Sequence, residues 1–217
     1  MVSEKTIYRM LEKNNLPGIR VGGQWRFRKR DIDAWIDHQV QKVELEGDRR
    51  VLAELKHSEI DMAPLIDEDN VWVDLAPMSR DELLTWMVVR AKLDEGVDRE
   101  VLAESVRLRE QICSTALVDH AAFPHPDDPS RFRFSRKRVL VAVTREPLDY
   151  LDPHGHRPRI VAMILARTVR GYLLTISRAI KLFGDSRLVE RLTGCQDPAD
   201  VIAAIRDAEN RLKDAAK

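Results

Sequence analysis

The chain has 217 residues, enough for one good core and a small accessory domain, so two domains are expected. Its 36 Lys and Arg balance its 36 Asp and Glu, so net charge gives no overall pull toward nucleic acid or a membrane surface. The 2 cysteines lack metal-ligand spacing and a framework pattern, which fits a reducing cytosol, and the longest apolar run, 160–166, is far shorter than the roughly 20 residues a spanning helix needs.

The charge is unevenly spread. Residues 1–30 hold eight basic residues against two acidic ones, a surplus of six, so the remainder is acidic. Ser3 can cap a helix whose apolar residues Ile7, Met10 and Leu11 fall at i, i+3, i+4, ending near Pro17-Gly18. Its other side carries Thr6, Arg9 and Lys13, a stripe suited to a DNA major groove and equally to a solvated polar face. Two short runs, 19–21 and 24–28, flank Gly22-Gly23, a two-residue hairpin signal, and Arg26 and Arg28 alternate with Trp25 and Phe27 to share one face. Ile32, Trp35 and Ile36 then form the inward stripe of a second short helix.

Residues 41–57 are mixed in charge and read as a linker. The acidic stretch 64–77 holds Val71, Trp72 and Val73, an edge strand or a buried anchor. Ser79 and Glu82 form a capping box opening a helix with Leu83, Leu84, Met87, Val88 and Ala91 inward and Gly96 past its end. Asp98 caps the next helix, which packs Val101, Leu102, Ser105 and Leu108 and delivers Arg109 near its end, close to Ser114. Further on, 131–138 is basic with Phe132 and Phe134 interleaved. It reads as a solvated strand edge, the alternative being contact with nucleic acid or an acidic partner. Residues 139–143 and 159–165 are buried-strand signals separated by helical segments, and His154 and His156 sit in a turn between them with no metal spacing. Helices follow over 170–183, 185–192 and 198–213. The pattern suggests an α/β sandwich. No motif calls for a cofactor or a metal, and neither oligomeric state nor a particular sugar is legible.

The stretch 109–126 is the one the chain is built to present. Prolines at 124 and 126 push Phe123 and His125 toward extended backbone, placing the imidazole on a stiff loop. A neutral ring nitrogen so held can accept a phosphoryl group if donors absorb the charge on its oxygens, and Arg109 with the Ser114 and Thr115 hydroxyls could supply them. A structural loop histidine fits the same residues.

The order Arg109-Glu110, Ser114-Thr115-Ala116-Leu117-Val118, then Ala122-Phe123-Pro124-His125-Pro126 resembles the phosphorylation-site region of type-2 EIIA domains of the phosphoenolpyruvate phosphotransferase system, the fructose, mannitol and nitrogen-regulatory kind. The resemblance spans 58–217 and includes Glu146-Pro147-Leu148-Asp149-Tyr150 and the run from Asp185 to Leu192. It implies a mixed sheet flanked by helices, a phosphohistidine at His125, loading by the system's small phosphocarrier protein, and a cytoplasmic location. Many relatives carry a second histidine after the last core strand; alignment back from Asp185 puts Tyr172 there, a donor that cannot become an imidazolium. His120 stands where glycine is usual, either altering the turn or contributing a substitute imidazole. Asp127 and Asp128 would repel a phosphohistidine unless they point away.

The first 40 residues resemble the winged helix-turn-helix of the excisionase and MerR-like family, with Thr6, Arg9, Lys13, Arg26 and Arg28 as the implied DNA contacts. Those domains normally begin with a further helix, whereas here Ser3 lies two residues in. Two readings follow: a start codon placed too late, or an incomplete module that does not bind DNA. For the whole chain the leading expectation is a phosphotransferase-system regulator coupling His125 to DNA; the alternatives are a phosphoryl-relay enzyme with a vestigial N-terminus and a degenerate domain that binds a regulatory protein target.

Overall fold

The computed structural model describes residues 19–21, 24–26, 60–76, 78–152 and 155–214, and the chain divides into two units, Met1–Lys56 and His57–Lys217. In the first unit β1 (Ile19–Val21) and β2 (Gln24–Arg26) pair antiparallel, with Ile19 opposite Arg26 and Val21 opposite Gln24. This is the hairpin expected around Gly22-Gly23. Thr6, Arg9, Lys13, Arg28, the two expected N-terminal helices and the linker 41–57 lie outside the described residues.

The second unit is built on a four-stranded mixed sheet. Its strands are β3 (Val71–Leu75), β4 (Ala121–Ala122), β5 (Arg138–Thr144) and β6 (Ile160–Leu165), in the order β3-β5-β6-β4. β5 runs parallel to β3 and antiparallel to β6, and β4 runs parallel to β6. The central strands are apolar without interruption because helices cover both faces. On one face Val139, Val141, Val143, Ile160, Ala162 and Ile164 pack with Phe123 against α3 (Val169–Phe183), α4 (Ser186–Gly194) and α5 (Pro198–Asp214). On the other, Leu140, Ala142, Val161, Met163 and Leu165 meet α1 (Arg80–Arg90) and α2 (Arg99–Ile112). This is the α/β sandwich expected, with helices on both sides of a mixed sheet.

The helix starts follow local chemistry. Ser79 and Glu82 complete the capping box of α1, with the Ser79 N–H donating to Glu82 at 2.8 Å. Asp98, Thr168 and Asp185 cap α2, α3 and α4 through backbone N–H groups, each satisfying donors the helix leaves orphaned. In α5 the buried carboxylate of Glu209 accepts the N–H groups of Met62 at 2.5 Å and Ala63 at 3.3 Å, which fastens the start of the unit onto its last helix.

Several expectations need correction. Leu108 is 48% exposed; the inward face of α2 is Leu102, Ala103, Ser105, Val106 and Glu110, because the apolar stripe steps by fours from Leu102. Gly96, with φ +82°, turns the loop before Asp98 rather than ending α1, whose last residue is Arg90. β5 and β6 are joined by a loop, not by a helix, and are antiparallel neighbours. The basic stretch 131–138 is no solvated strand edge. It enters a central strand, with Phe132 and Phe134 buried. Arg138 forks onto Asp94 at 2.6 and 2.9 Å and Arg136 onto Asp67 at 2.6 Å. That pairing holds the Asp94 carboxyl well below the usual carboxylate range. The two-residue strand β4 was not expected, being too short to show a period.

Candidate phosphoryl-acceptor site

Residues 121–125 run extended beside β6. Phe123 donates its N–H to the Thr115 carbonyl at 3.1 Å, and the Ile164 N–H reaches the Pro124 carbonyl at 2.9 Å. Ala121 and Phe123 point to the α3 side of the sheet and Ala122 to the other. The alternation of an extended chain therefore sends His125 toward α3. There its ring stacks on Tyr172, with centroids 3.9 Å apart and planes 27° apart. Tyr172 is in the first turn of α3, its N–H bonded to the Thr168 carbonyl at 3.0 Å.

His125 is only 6% exposed. Burial first, and the charge of Arg109 second, push its pKa down to about 4, so the ring is neutral at pH 7. Its Nδ1 lies 3.2 Å from the Phe123 carbonyl. A carbonyl only accepts, so Nδ1 carries the hydrogen and Nε2 keeps its lone pair. The result is a fixed, neutral, nucleophilic nitrogen beside a guanidinium.

Glu110 explains why the loop stays in place. This carboxylate, 1% exposed, accepts the Thr115 N–H at 2.5 Å and the Thr115 hydroxyl at 2.6 Å. The Thr115 carbonyl in turn holds Phe123. A chain of bonds thus runs from the last turn of α2 to the histidine. Burial pushes the Glu110 carboxyl above its ordinary range, against the two Thr115 bonds. Tyr150, fully buried, lies within the field of Glu110 and Arg80, and burial raises its phenol well above 10. The phase of α2, Leu102 and Val106 then position 110, could have marked Glu110 as inward from sequence.

The expected site residues are only partly brought together. His125 and Tyr172 touch, and Arg109 is near enough for its charge to act on His125; Arg109 also donates to the Cys113 carbonyl at 3.0 Å. The Thr115 hydroxyl hydrogen is committed to Glu110, and Ser114 Oγ accepts the Ala116 N–H at 3.2 Å. His120 is exposed at the opposite end of β4, its carbonyl accepting from Arg159 and Ile160. Five steps along extended chain put it roughly 16 Å from His125, so no second imidazole comes from there. Neither aspartate is aimed at His125. Asp127 is bonded to Ser105, and Asp128 accepts from Ser130 N–H at 2.9 Å and hydroxyl at 2.6 Å. His156 bonds the Ala116 carbonyl at 2.8 Å. Among the described residues no cluster of three His, Cys, Asp or Glu could hold a metal, and no helix is long and apolar enough to cross a membrane.

Known proteins align with this arrangement. The model for the phosphoenolpyruvate-dependent sugar phosphotransferase system EIIA 2 domain matches residues 64–208, and a helix-turn-helix domain model matches residues 2–40. No curated protein matches significantly. Among solved structures, the nitrogen regulatory protein IIA-Ntr of Neisseria meningitidis superposes with a TM-score of 0.59 at 19% identity, covering 66% of this chain and 97% of that one. The IIA mannitol protein of Escherichia coli does so with a TM-score of 0.55 at 18% identity, covering 64% and 97%. The complex of Escherichia coli enzyme IIA mannitol with phosphorylated enzyme IIB mannitol gives 0.57 at 18%, covering 66% and 99%. At such identities these likenesses speak for the fold alone. With the family model spanning most of the chain and the sheet and helices arranged as in these structures, the chain belongs to the EIIA type-2 family of the phosphoenolpyruvate-dependent sugar phosphotransferase system, preceded by a helix-turn-helix domain.

Proposed function

We propose that the protein is a phosphotransferase-system regulator in which His125 Nε2 accepts a phosphoryl group from the system's phosphocarrier protein, and the N-terminal module couples that state to DNA. One observation carries the reading: a buried neutral imidazole with Nδ1 anchored on the Phe123 carbonyl, stacked on Tyr172 and facing the charge of Arg109. The Nε2 lone pair forms the new P–N bond as the P–N bond to the carrier's histidine breaks. The electron pair of that bond returns to the carrier's ring, and the hydrogen stays on Nδ1, donated to the Phe123 carbonyl. Arg109 and the Ser114 hydroxyl are the proposed partners of the phosphoryl oxygens; Glu110 and Thr115 support the loop.

A second reading, a domain that binds a protein target without being phosphorylated, draws on Tyr172 standing where an imidazole is common. Intact mass after incubation with phosphoenolpyruvate, the system's first enzyme and its phosphocarrier separates the two. One acid-labile phosphoryl group, lost in His125→Ala, is expected. An unlabelled wild type beside a carrier that labels a control domain gives the second reading. The onward acceptor proposed for a labelled protein is a IIB-type domain or a regulatory protein.

A further inference from the structure

Between the two paired arginines 136 and 138 lies Lys137, which among the described residues has no carboxylate or hydrogen-bonding partner. Residues 139, 141 and 143 of β5 face α3, so by the period of two Lys137 faces α3 as well. Contact distances agree. A methyl group placed on Gly171 would stand 3.5 Å from Lys137 Cδ and 3.8 Å from Ala166 Cβ. Gly171 precedes Tyr172, whose ring covers His125. The sheet leads to the same place from the other side. Arg138 pairs with Leu165, which sets Lys137 opposite Ala166, and the Pro124 carbonyl is bonded to Ile164. Lys137 and His125 are thus on the same face, flanking the end of β6, with Cα atoms roughly 12 Å apart by strand spacing and rise. A four-carbon stem, an imidazole and a phosphoryl group are together long enough to close that gap. The first turn of α3, positive by its dipole, roofs the space between them.

We propose that Lys137 is a catalytic cation of the phosphoryl-acceptor site, its ammonium meeting the phosphoryl oxygens on His125 alongside Arg109. The assignment rests on His125 being the acceptor. Lys137 supplies a fixed charge where Tyr172 supplies none. Its stem is half-buried, and burial holds its ammonium below the ordinary 10.5, a cost that an arriving anion offsets.

Two substitutions separate the charge from the stem. Lys137→Met keeps the packing length and removes the charge; Lys137→Arg keeps a charge. The donor is phosphoramidate, so that docking of a carrier plays no part. Its P–N electron pair leaves with ammonia while His125 Nε2 bonds the phosphorus. Lys137→Met is expected to label about a hundredfold more slowly than wild type and to lose the phosphoryl group faster by hydrolysis, with Lys137→Arg recovering most of the rate at unchanged melting temperature. Equal rates for Lys137→Met and wild type would mean that the side chain only packs, and the inference would fall while the acceptor reading stands. An unlabelled wild type overturns the acceptor reading and the inference with it. Should Lys137→Met fail to fold, the 15N resonance of the Lys137 ammonium in the wild type decides: it is expected to move on phosphorylation, and a resonance that does not move overturns the role.

Discussion

The phenol ring of Tyr172 lies flat against the imidazole of His125, with centroids 3.9 Å apart, and with the Phe123–Phe183 ring pair it joins α3 to the histidine loop. It keeps water from one face of the ring. Tyr172→Phe preserves the stack, and His125 should keep its depressed pKa. Tyr172→Ala admits water and should bring the pKa back toward the ordinary 6.5. Titration followed by the imidazole NMR resonances measures both, and identical curves for wild type and Tyr172→Ala would show that the stack does not control the ring.

The neutral ring has a pH signature. With a folded pKa of about 4 against 6.5 unfolded, the unfolded chain binds the proton first. The stability that His125 contributes is therefore present above pH 6.5 and lost as pH falls toward 4. Across pH 5.5 to 8, acceptance of the phosphoryl group should be nearly flat, because the lone pair on Nε2 is free throughout. A rate that halves near pH 6.5 would place the acceptor in water.

Arg109 acts on His125 by charge, and under the proposed function it also donates to the phosphoryl oxygens. Arg109→Ala should slow labelling by about a hundredfold, the usual cost of removing one charge-stabilising donor. Stability should change little, since the side chain is half-exposed and its bond to Cys113 O is local. The His125 pKa should rise at the same time, as a cation is removed from its neighbourhood. Labelling at the wild-type rate would assign the oxygens to other donors.

Glu110 is predicted to be structural. Glu110→Ala strands the Thr115 N–H and hydroxyl in a buried place, at about 3 kcal/mol by the usual cost of unmade buried hydrogen bonds. Because burial raises the folded pKa above the ordinary 4.5, the unfolded chain gives up this proton first. The group's contribution is complete below pH 4.5 and declines as pH rises through the folded value. Denaturant unfolding at pH 4 and pH 7 should show this decline in wild type and a smaller one in Glu110→Gln.

For the N-terminal module, Arg26 on β2 offers the accessible test. If it binds a DNA phosphate, Arg26→Ala reduces the salt slope of binding by about one unit without altering sequence preference. An unchanged slope removes the hairpin from the DNA interface.

Much of this protein was legible in local sequence. Capping at Ser79 and Asp98, the uninterrupted apolar runs of β5 and β6, and the prolines around His125 are decided by interactions within a few residues, so periodicity and propensity report them. The strand and helix pattern suggested the α/β sandwich, and the resemblance carried by the residues from Arg109 to His125 implied a mixed sheet flanked by helices, with His125 as the proposed acceptor. What required tertiary structure were the relationships across the sheet. Whether Asp127 turns toward or away from His125 depends on Ser105, 22 residues earlier, and the strand β4 exists only because β6 offers it a partner. The fate of the basic stretch 131–138 depended on Asp67 and Asp94, which pair Arg136 and Arg138 and, among the described residues, leave Lys137 without a partner on the α3 side. Burial and the charge of Arg109, sixteen residues earlier, depress the pKa of His125, and neither is a property of the residues next to it in the chain.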